Sequence, residues 1–344
     1  MKLFYHPDQE RHAPTQYLRR GALVASPEGP RRAELLAEGI QELGLSLSTP
    51  AEVDSPKLRE RLKQIHTERY LDFLETIHAR WRALSGAADF VTPSIHPCGA
   101  GKHYPRHPVG QAGWHLNDYA CAMNADSFQG ILASAATAQA AAESLNEGEG
   151  SAYALCRPPG HHAGPERTGG FCFINNAALA ATVLREKVSQ VAILDIDLHH
   201  GNGTQEIFYD RGDVWTGSLH VNPSDFYPYY WGTEEETGIG PGNRANLNVP
   251  LAVGSGLEAF QAGLDKLIDS MASFSPDALV VALGLDTHKD DPQAGMSLET
   301  EDFETIGRQI GELGIPTLLV QEGGHPTASL GKNLAAFLNG FRSA

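Results

Sequence analysis

This sequence predicts an α/β fold, with a mostly parallel central sheet and helices on both faces, on the strength of three observations. Two runs, Val191-Ala192-Ile193-Leu194 and Ala278–Leu283, are apolar without interruption, as in strands covered on both faces. Strand-like and helix-like stretches alternate along most of the chain. Ligand-type polar residues gather just after the strand-like runs, where open parallel sheets carry their active sites. The chain of 344 residues can bury a substantial core, and no repeat or low-complexity tract divides it, so residues 1–344 read as a single domain.

Taken in order, Lys2–Tyr5 suits a short first strand. Glu28–Leu43 reads as a helix stopped by Gly44. Arg59–Trp81 carries apolar residues at helical spacing (Leu62, Ile65, Tyr70, Phe73, Leu74, Ile77) over two helices broken near His66-Thr67. Residues 86–125 are expected to form an insertion loop, rich in Pro, Gly and His as far as Gln111. An Ala-rich helix (Gln129–Leu145), a strand (Ala152–Cys156) and a helix (Asn175–Lys187) lead into the Val191 strand. Gln205–Tyr209 is helical, Val214–His220 a strand, and Asp225–Asn243 a long aromatic and Gly-rich loop. The helix Leu257–Phe274, the strand Ala278–Leu283, the helix Thr300–Leu313, the strand Thr317–Gln321 and the helix Ala328–Phe341 complete the chain.

A formal charge of −16 argues against general affinity for nucleic acid or anionic membrane. No apolar run approaches a membrane span, and Met1–Asp8 lacks a signal peptide's long apolar centre. Cys98, Cys121, Cys156 and Cys172 show no CxxC or disulfide spacing, so the expected compartment is a reducing cytoplasm.

Side chains alternate along a strand, so Asp195, Asp197 and His199 are expected on one side as the Val191 strand runs out into Gly201-Asn202-Gly203. Two carboxylates and an imidazole suit a divalent ion of borderline ligand taste, zinc first. Other loops carry similar chemistry: Arg157-Pro158-Pro159-Gly160-His161-His162, then Asp286, then Glu322-Gly323-Gly324-His325. In a parallel sheet these loops meet at one rim, however distant in sequence.

The runs RPPGHHAG from Arg157, GGFCFINNAA from Gly169, LDIDLHHGNGTQ from Leu194, SLH from Ser218 and NLNVP from Asn246 resemble the histone deacetylase family of the arginase/deacetylase fold. So do GLD from Gly284, followed by Asp291-Pro292, and EGG from Glu322. Within that family the wording most resembles the bacterial acetylpolyamine amidohydrolases. The resemblance implies that Asp197, His199 and Asp286 hold a catalytic zinc, leaving a coordination position open. It sets His161 and His162 beside the hydrolytic water, with His162 as general base and later general acid and His161 kept charged. It pairs His161 with Asp195 and His162 with the neutral Asn202, which raises basicity less. Gly170 and Phe171 would wall a narrow channel opposite Tyr227, a slot for an aliphatic stem. A structural potassium ion held by Asp195, Ser218 and carbonyls of Asp197, His199 and Leu219 is implied by the resemblance alone.

Two departures stand out. Most active relatives carry Tyr after Glu-Gly-Gly, donating a hydroxyl to the oxyanion; this chain has His325, which either donates an N–H from inside or swings out and leaves room for a larger acyl group. Unactivated acetamides are therefore expected to be slow substrates. Polyamine-selective relatives hold their substrate with acids from the insertion loop, whereas Lys102–Gln111 contains no Asp or Glu, and Asp118 is the nearby acid. That loop is also expected to build a homodimer, through Trp114 and Tyr119, unless these pack on the parent domain.

The expected function is a zinc-dependent amidohydrolase acting on acetylpolyamines or related small N-acyl amines. Its rivals are an acyl-lysine deacylase, and a weakly active module that binds acylated amines because of His325. A binuclear arginase-type hydrolase fits less well, since the sequence supplies one tight ligand set.

Overall fold

Burial on both faces decides the architecture. The computed structural model describes residues 1–97 and 103–344, so Cys98 and Lys102 lie outside the described residues. The chain opens with β1 (Lys2–Phe4), a 3-10 turn (Pro7–Arg11) and an antiparallel hairpin of β2 (Gln16–Arg19) and β3 (Ala22–Ala25). Next come α1 (Arg31–Glu42), β4 (Leu47–Ser48), α2 (Pro56–Leu62), α3 (Glu68–Arg82), α4 (Pro108–His115), α5 (Ser127–Asn146) and β5 (Ser151–Ala154). Then follow α6 (Asn176–Leu184), β6 (Val191–Asp195), α7 (Asn202–Phe208), β7 (Val214–Val221) and β8 (Asn246–Leu251). The chain closes with α8 (Leu257–Phe274), β9 (Ala278–Leu283), α9 (Thr300–Gly311), β10 (Thr317–Gln321) and α10 (Leu330–Ser343).

Eight strands form one sheet in the order β4-β1-β5-β10-β9-β6-β7-β8, and every pairing in it is parallel. Every residue of β6, β7, β9 and β10 is buried, as apolar strands between two helical layers must be. One core packs α2, α3, α5 and α6 on one face; the other packs α1, α8, α9 and α10. The α/β class, the parallel sheet and the helices on both faces agree with the expectation. No helix among the described residues is long and apolar enough to cross a membrane.

Helix caps explain several boundaries. Thr67 caps α3 through the Tyr70 N–H, which is why the Arg59–Trp81 periodicity breaks there. Asn175 caps α6 through the Ala178 N–H. The expected irregular run through Gln111 needs correcting, because α4 lies within it. Pro108 occupies a position where its missing N–H costs nothing, and Gly113 lets the backbone approach Ile95 more closely than a Cβ would allow. The hairpin and β8 carry no strand signal in the sequence. β8 contains Pro250, which is tolerated because this strand lies at the sheet edge.

Candidate active site

The strands β5, β10, β9 and β6 are neighbours in the sheet, so the loops leaving their carboxyl ends converge. Those loops carry His161 and His162, Glu322 to His325, Asp286, and Asp197 with His199. They floor a cavity of about 690 Å³ that opens between aromatic walls.

Ligand atoms of Asp197, His199 and Asp286 lie within 4.8 Å of one another, and all three residues are buried. His199 Nδ1 sits 3.1 Å from Asp197 Oδ1 and 3.3 Å from Asp286 Oδ2. Backbone donors fix the carboxylates: the Leu198 N–H reaches Asp286 Oδ1 (3.1 Å), and the Gly323 N–H reaches Asp197 Oδ2 (2.7 Å). Asp286 Oδ2 is buried with no hydrogen-bond partner among the described residues. A Cβ on Gly323 would lie 2.2 Å from that oxygen and 2.4 Å from Asp197 Oδ2, so only glycine leaves the cradle open. Burial would lower the His199 imidazole, but Asp197 and Asp286 outweigh it and lift the ring to about 9. The cluster attracts positive charge, and a divalent cation can take the place of that proton. The residues fit a His-and-two-carboxylate cation site.

Asp195 does not join this cluster, contrary to the alternation argument. Its Oδ2 accepts from His161 Nδ1 at 2.9 Å. The strand ends at Asp195, so period-two alternation no longer governs the residues beyond it. Burial pulls the His161 ring down, yet Asp197 and Asp195 raise it to about 10. His162 is the opposite case: burial, then the charges of His161 and His199, hold it well below the ordinary histidine value. Its Nδ1 pairs with Asn202 Oδ1 at 2.7 Å. The His161 and His162 ring centroids are 4.0 Å apart. Gly170 permits this, because a Cβ there would lie 2.3 Å from the His162 ring.

Tyr227 stands edge-on to His162 at 5.0 Å, and Phe171 faces His325 at 6.1 Å. His325 is buried and turned inward, lining the cavity. Its Nδ1 lies 3.0 Å from Asp291 Oδ1, and its backbone N–H donates to Asp291 Oδ2 at 2.8 Å. Burial would raise the Asp291 carboxyl, but the His325 ring and backbone donors hold it below the usual range.

Three residues near the site have parts that sequence reasoning missed. Asp291 is visible in the sequence only as half of the Asp-Pro pair. Glu322 Oε2 accepts the N–H groups of Gly160 (2.6 Å) and His161 (3.0 Å), tying two active-site loops together, and burial lifts its carboxyl to about 7. Asp118 stands out in the sequence only for its charge. Its Oδ2 accepts from the Tyr227 hydroxyl (2.7 Å) and the Gly170 N–H (2.8 Å), joining both walls. Trp114 is engaged within the chain, stacked under Arg69 and donating to Glu166, while Tyr119 remains exposed. Asp195 and Ser218 are register partners on β6 and β7 and line a small second cavity.

The domain model of the histone deacetylase family matches residues 26–341. The acetylpolyamine amidohydrolase of Burkholderia pseudomallei is 39% identical over 99% of this chain and 98% of its own. Acetylpolyamine amidohydrolase 1 of Pseudomonas aeruginosa is 40% identical with the same coverage. A crystal structure of acetylpolyamine aminohydrolase from Burkholderia pseudomallei superposes with a TM-score of 0.95, covering 99% of this chain and 98% of that one at 39% identity. The HDA15 HD domain, at 24% identity and a TM-score of 0.80, shares the fold. With its cation cradle, its paired histidines and this likeness along nearly its whole length, the chain belongs to the histone deacetylase family and is an amide hydrolase.

Proposed function

We propose that the protein is a zinc-dependent deacetylase of small N-acyl amines, working as one catalytic domain. One observation carries this reading: Asp197, His199 and Asp286 converge beside His161 and His162 at the floor of an aromatic-walled cavity. A bound zinc or ferrous ion would supply Lewis acidity toward the acyl carbonyl and ready a water molecule for attack. His162, held neutral by its surroundings, takes the water proton at Nε2, since Nδ1 is occupied by Asn202. It then returns that proton to the leaving amine. His161 stays charged against Asp195 and steadies the negative charge growing on the reacting atoms. Phe171 and Tyr227 clasp the aliphatic stem and exclude water, with Gly170 leaving room for the His162 ring.

His325 is the weak point of this machinery. With Nδ1–H donated to Asp291, its Nε2 can donate to the carbonyl oxygen only as imidazolium. Acetamides are slow substrates because His325 stands where a hydroxyl would donate to the oxyanion, and activated or bulkier acyl groups do better. The names of the relatives make acetylated polyamines the first substrates to test, with acyl-lysine peptides second. Zinc-loaded protein should release free amine from such a panel, and chelation or His162→Ala should abolish the release. Binding without turnover on every amide would instead favour the acyl-amine-binding module.

We further propose that Asp195 and Ser218, with carbonyls of Asp197, His199 and Leu219, seat a structural potassium ion, supported by the Asp195–Ser218 register. Melting temperature should rise in potassium over sodium. We assign a homodimer through residues 86–125, where Tyr119 is exposed, to be tested by light scattering. The buried thiols of Cys121, Cys156 and Cys172 support a cytoplasmic location.

A further inference from the structure

We infer that the mouth of the cavity selects N-acyl amines whose far end carries a carboxylate, that is, ω-N-acylamino acids in preference to acetylated polyamines. The inference rests on the amide-hydrolase reading but not on its polyamine part. The outer wall comes from the β2–β3 hairpin, which precedes the residues matched by the family model: Tyr17, Leu18, Arg19 and Arg20 all line the cavity. Tyr17 packs edge-on against Phe171 at 5.4 Å, so the hairpin extends the aromatic channel outward. The Arg19 guanidinium donates to the Pro292 carbonyl at 3.3 Å, reaching the segment whose Gln293 and Ala294 form another part of the lining.

Pairing off the charges of the lining shows what remains for a substrate. Arg32 and Glu28 are buried and neutralise each other. Asp118 keeps its negative charge, but its oxygens are turned into the wall by the Tyr227 hydroxyl and the Gly170 and Ala120 N–H groups. Asp197 and Asp286 belong to the cation cradle. Arg19, Arg20 and Asp225 are left, and among the described residues neither arginine has a carboxylate partner. Arg20 has φ 50° and Gly21 φ 82°, so the hairpin turns through two left-handed positions where Asn-Gly is the relaxed choice. The chain sets a guanidinium there instead.

A diamine anchored at the floor by its acyl group would bring its free ammonium up to two guanidinium groups, against the single exposed carboxylate of Asp225. A carboxylate in the same position meets donors that match its geometry. The net charge of −16 draws cations from afar, but screening confines such fields to roughly 8 Å at physiological salt, so contact charges decide at the mouth. The reaction is the same hydrolysis: the water oxygen bonds to the acyl carbon, the C–N bond breaks and the nitrogen takes the proton. The acyl group leaves as its acid and the remainder as an ω-amino acid.

The test compares kcat/KM of the zinc-loaded full chain on 4-acetamidobutyrate, N-acetylbutylamine and N-acetylputrescine. We expect 4-acetamidobutyrate to exceed N-acetylputrescine by about tenfold, with the gap shrinking at about 0.5 M salt. In the Arg19→Gln/Arg20→Gln variant the ratio of 4-acetamidobutyrate to N-acetylbutylamine should fall about tenfold, a ratio that cancels any general loss of activity. Hydrolysis with N-acetylputrescine equal or preferred, or with an unmoved ratio in the variant, overturns this inference alone. No hydrolysis of any of the three, nor of their activated N-trifluoroacetyl counterparts, overturns the amide-hydrolase reading as well.

Discussion

At the floor of the cavity, Asp197, His199 and Asp286 hang from the ends of buried parallel strands, and backbone N–H groups clamp their carboxylates. At the mouth, Arg19 and Arg20 ride a two-stranded hairpin that pairs with no other strand among the described residues, and Leu23 on its outer side is 70% exposed. The floor is over-determined by packing from both helical layers, whereas the mouth is held by an aromatic edge contact and one hydrogen bond to Pro292. The difference teaches where chemistry and selectivity reside. The reaction depends on positions that cannot move, and the choice of substrate depends on a segment that can change without disturbing them.

Substitutions on the floor should therefore be the costlier ones. His162→Ala should lower kcat by roughly 10³-fold or more, because no neighbouring neutral group takes its place as base, and steady-state amine release would measure it. His161→Ala should cost less if its part is electrostatic, and equal losses would erase the division of roles. Next in size is a gain: His325→Tyr should raise turnover of an acetamide by roughly 10²-fold, since it places a hydroxyl donor at the oxyanion. No gain would mean that the inward His325 already serves as donor.

Between floor and mouth, Asp118→Asn should raise KM by about tenfold with a smaller change in kcat, because it loosens the Tyr227 and Gly170 walls without touching the reacting atoms. A kcat effect larger than the KM effect would move Asp118 onto the floor.

The smallest effect concerns what supports the floor. His66 accepts the Asn175 N–H at 3.1 Å and pairs with the Gly164 carbonyl at 2.9 Å, and burial holds its ring down to about 4. The unfolded chain takes up this proton first, near pH 6.5. The stabilisation is thus complete above about pH 6.5, is lost as pH falls toward about 4 and is level below that. Urea unfolding should lose on the order of 3 kcal/mol from this group across that window. His66→Gln should flatten that part of the profile, and an unchanged slope would refute the assignment.

The floor is legible in the sequence for a physical reason. Apolar runs such as Ala278–Leu283 mark buried strands without ambiguity, and a parallel sheet gathers the loops after such strands at one rim. Asp195 escapes the same logic, because alternation stops where the strand stops. The mouth leaves little trace: β2 and β3 are short, half-exposed and joined by Arg-Gly, not by a signature turn pair. Helix α4 is hidden by its own prolines and glycines, which read as breakers until the cap position of Pro108 and the close contact at Gly113 are known. The part played by Asp118 depends on contacts made 52 and 109 residues away, which no local pattern reports.

The cation cradle is the central claim, and metal titration of the apoprotein tests it most directly. Calorimetry with zinc should show one tight catalytic ion per chain, displaced protons near neutral pH as His199 gives up its own, and loss of that binding in Asp286→Ala. Two catalytic ions per chain, or tight binding that survives Asp286→Ala, would contradict it.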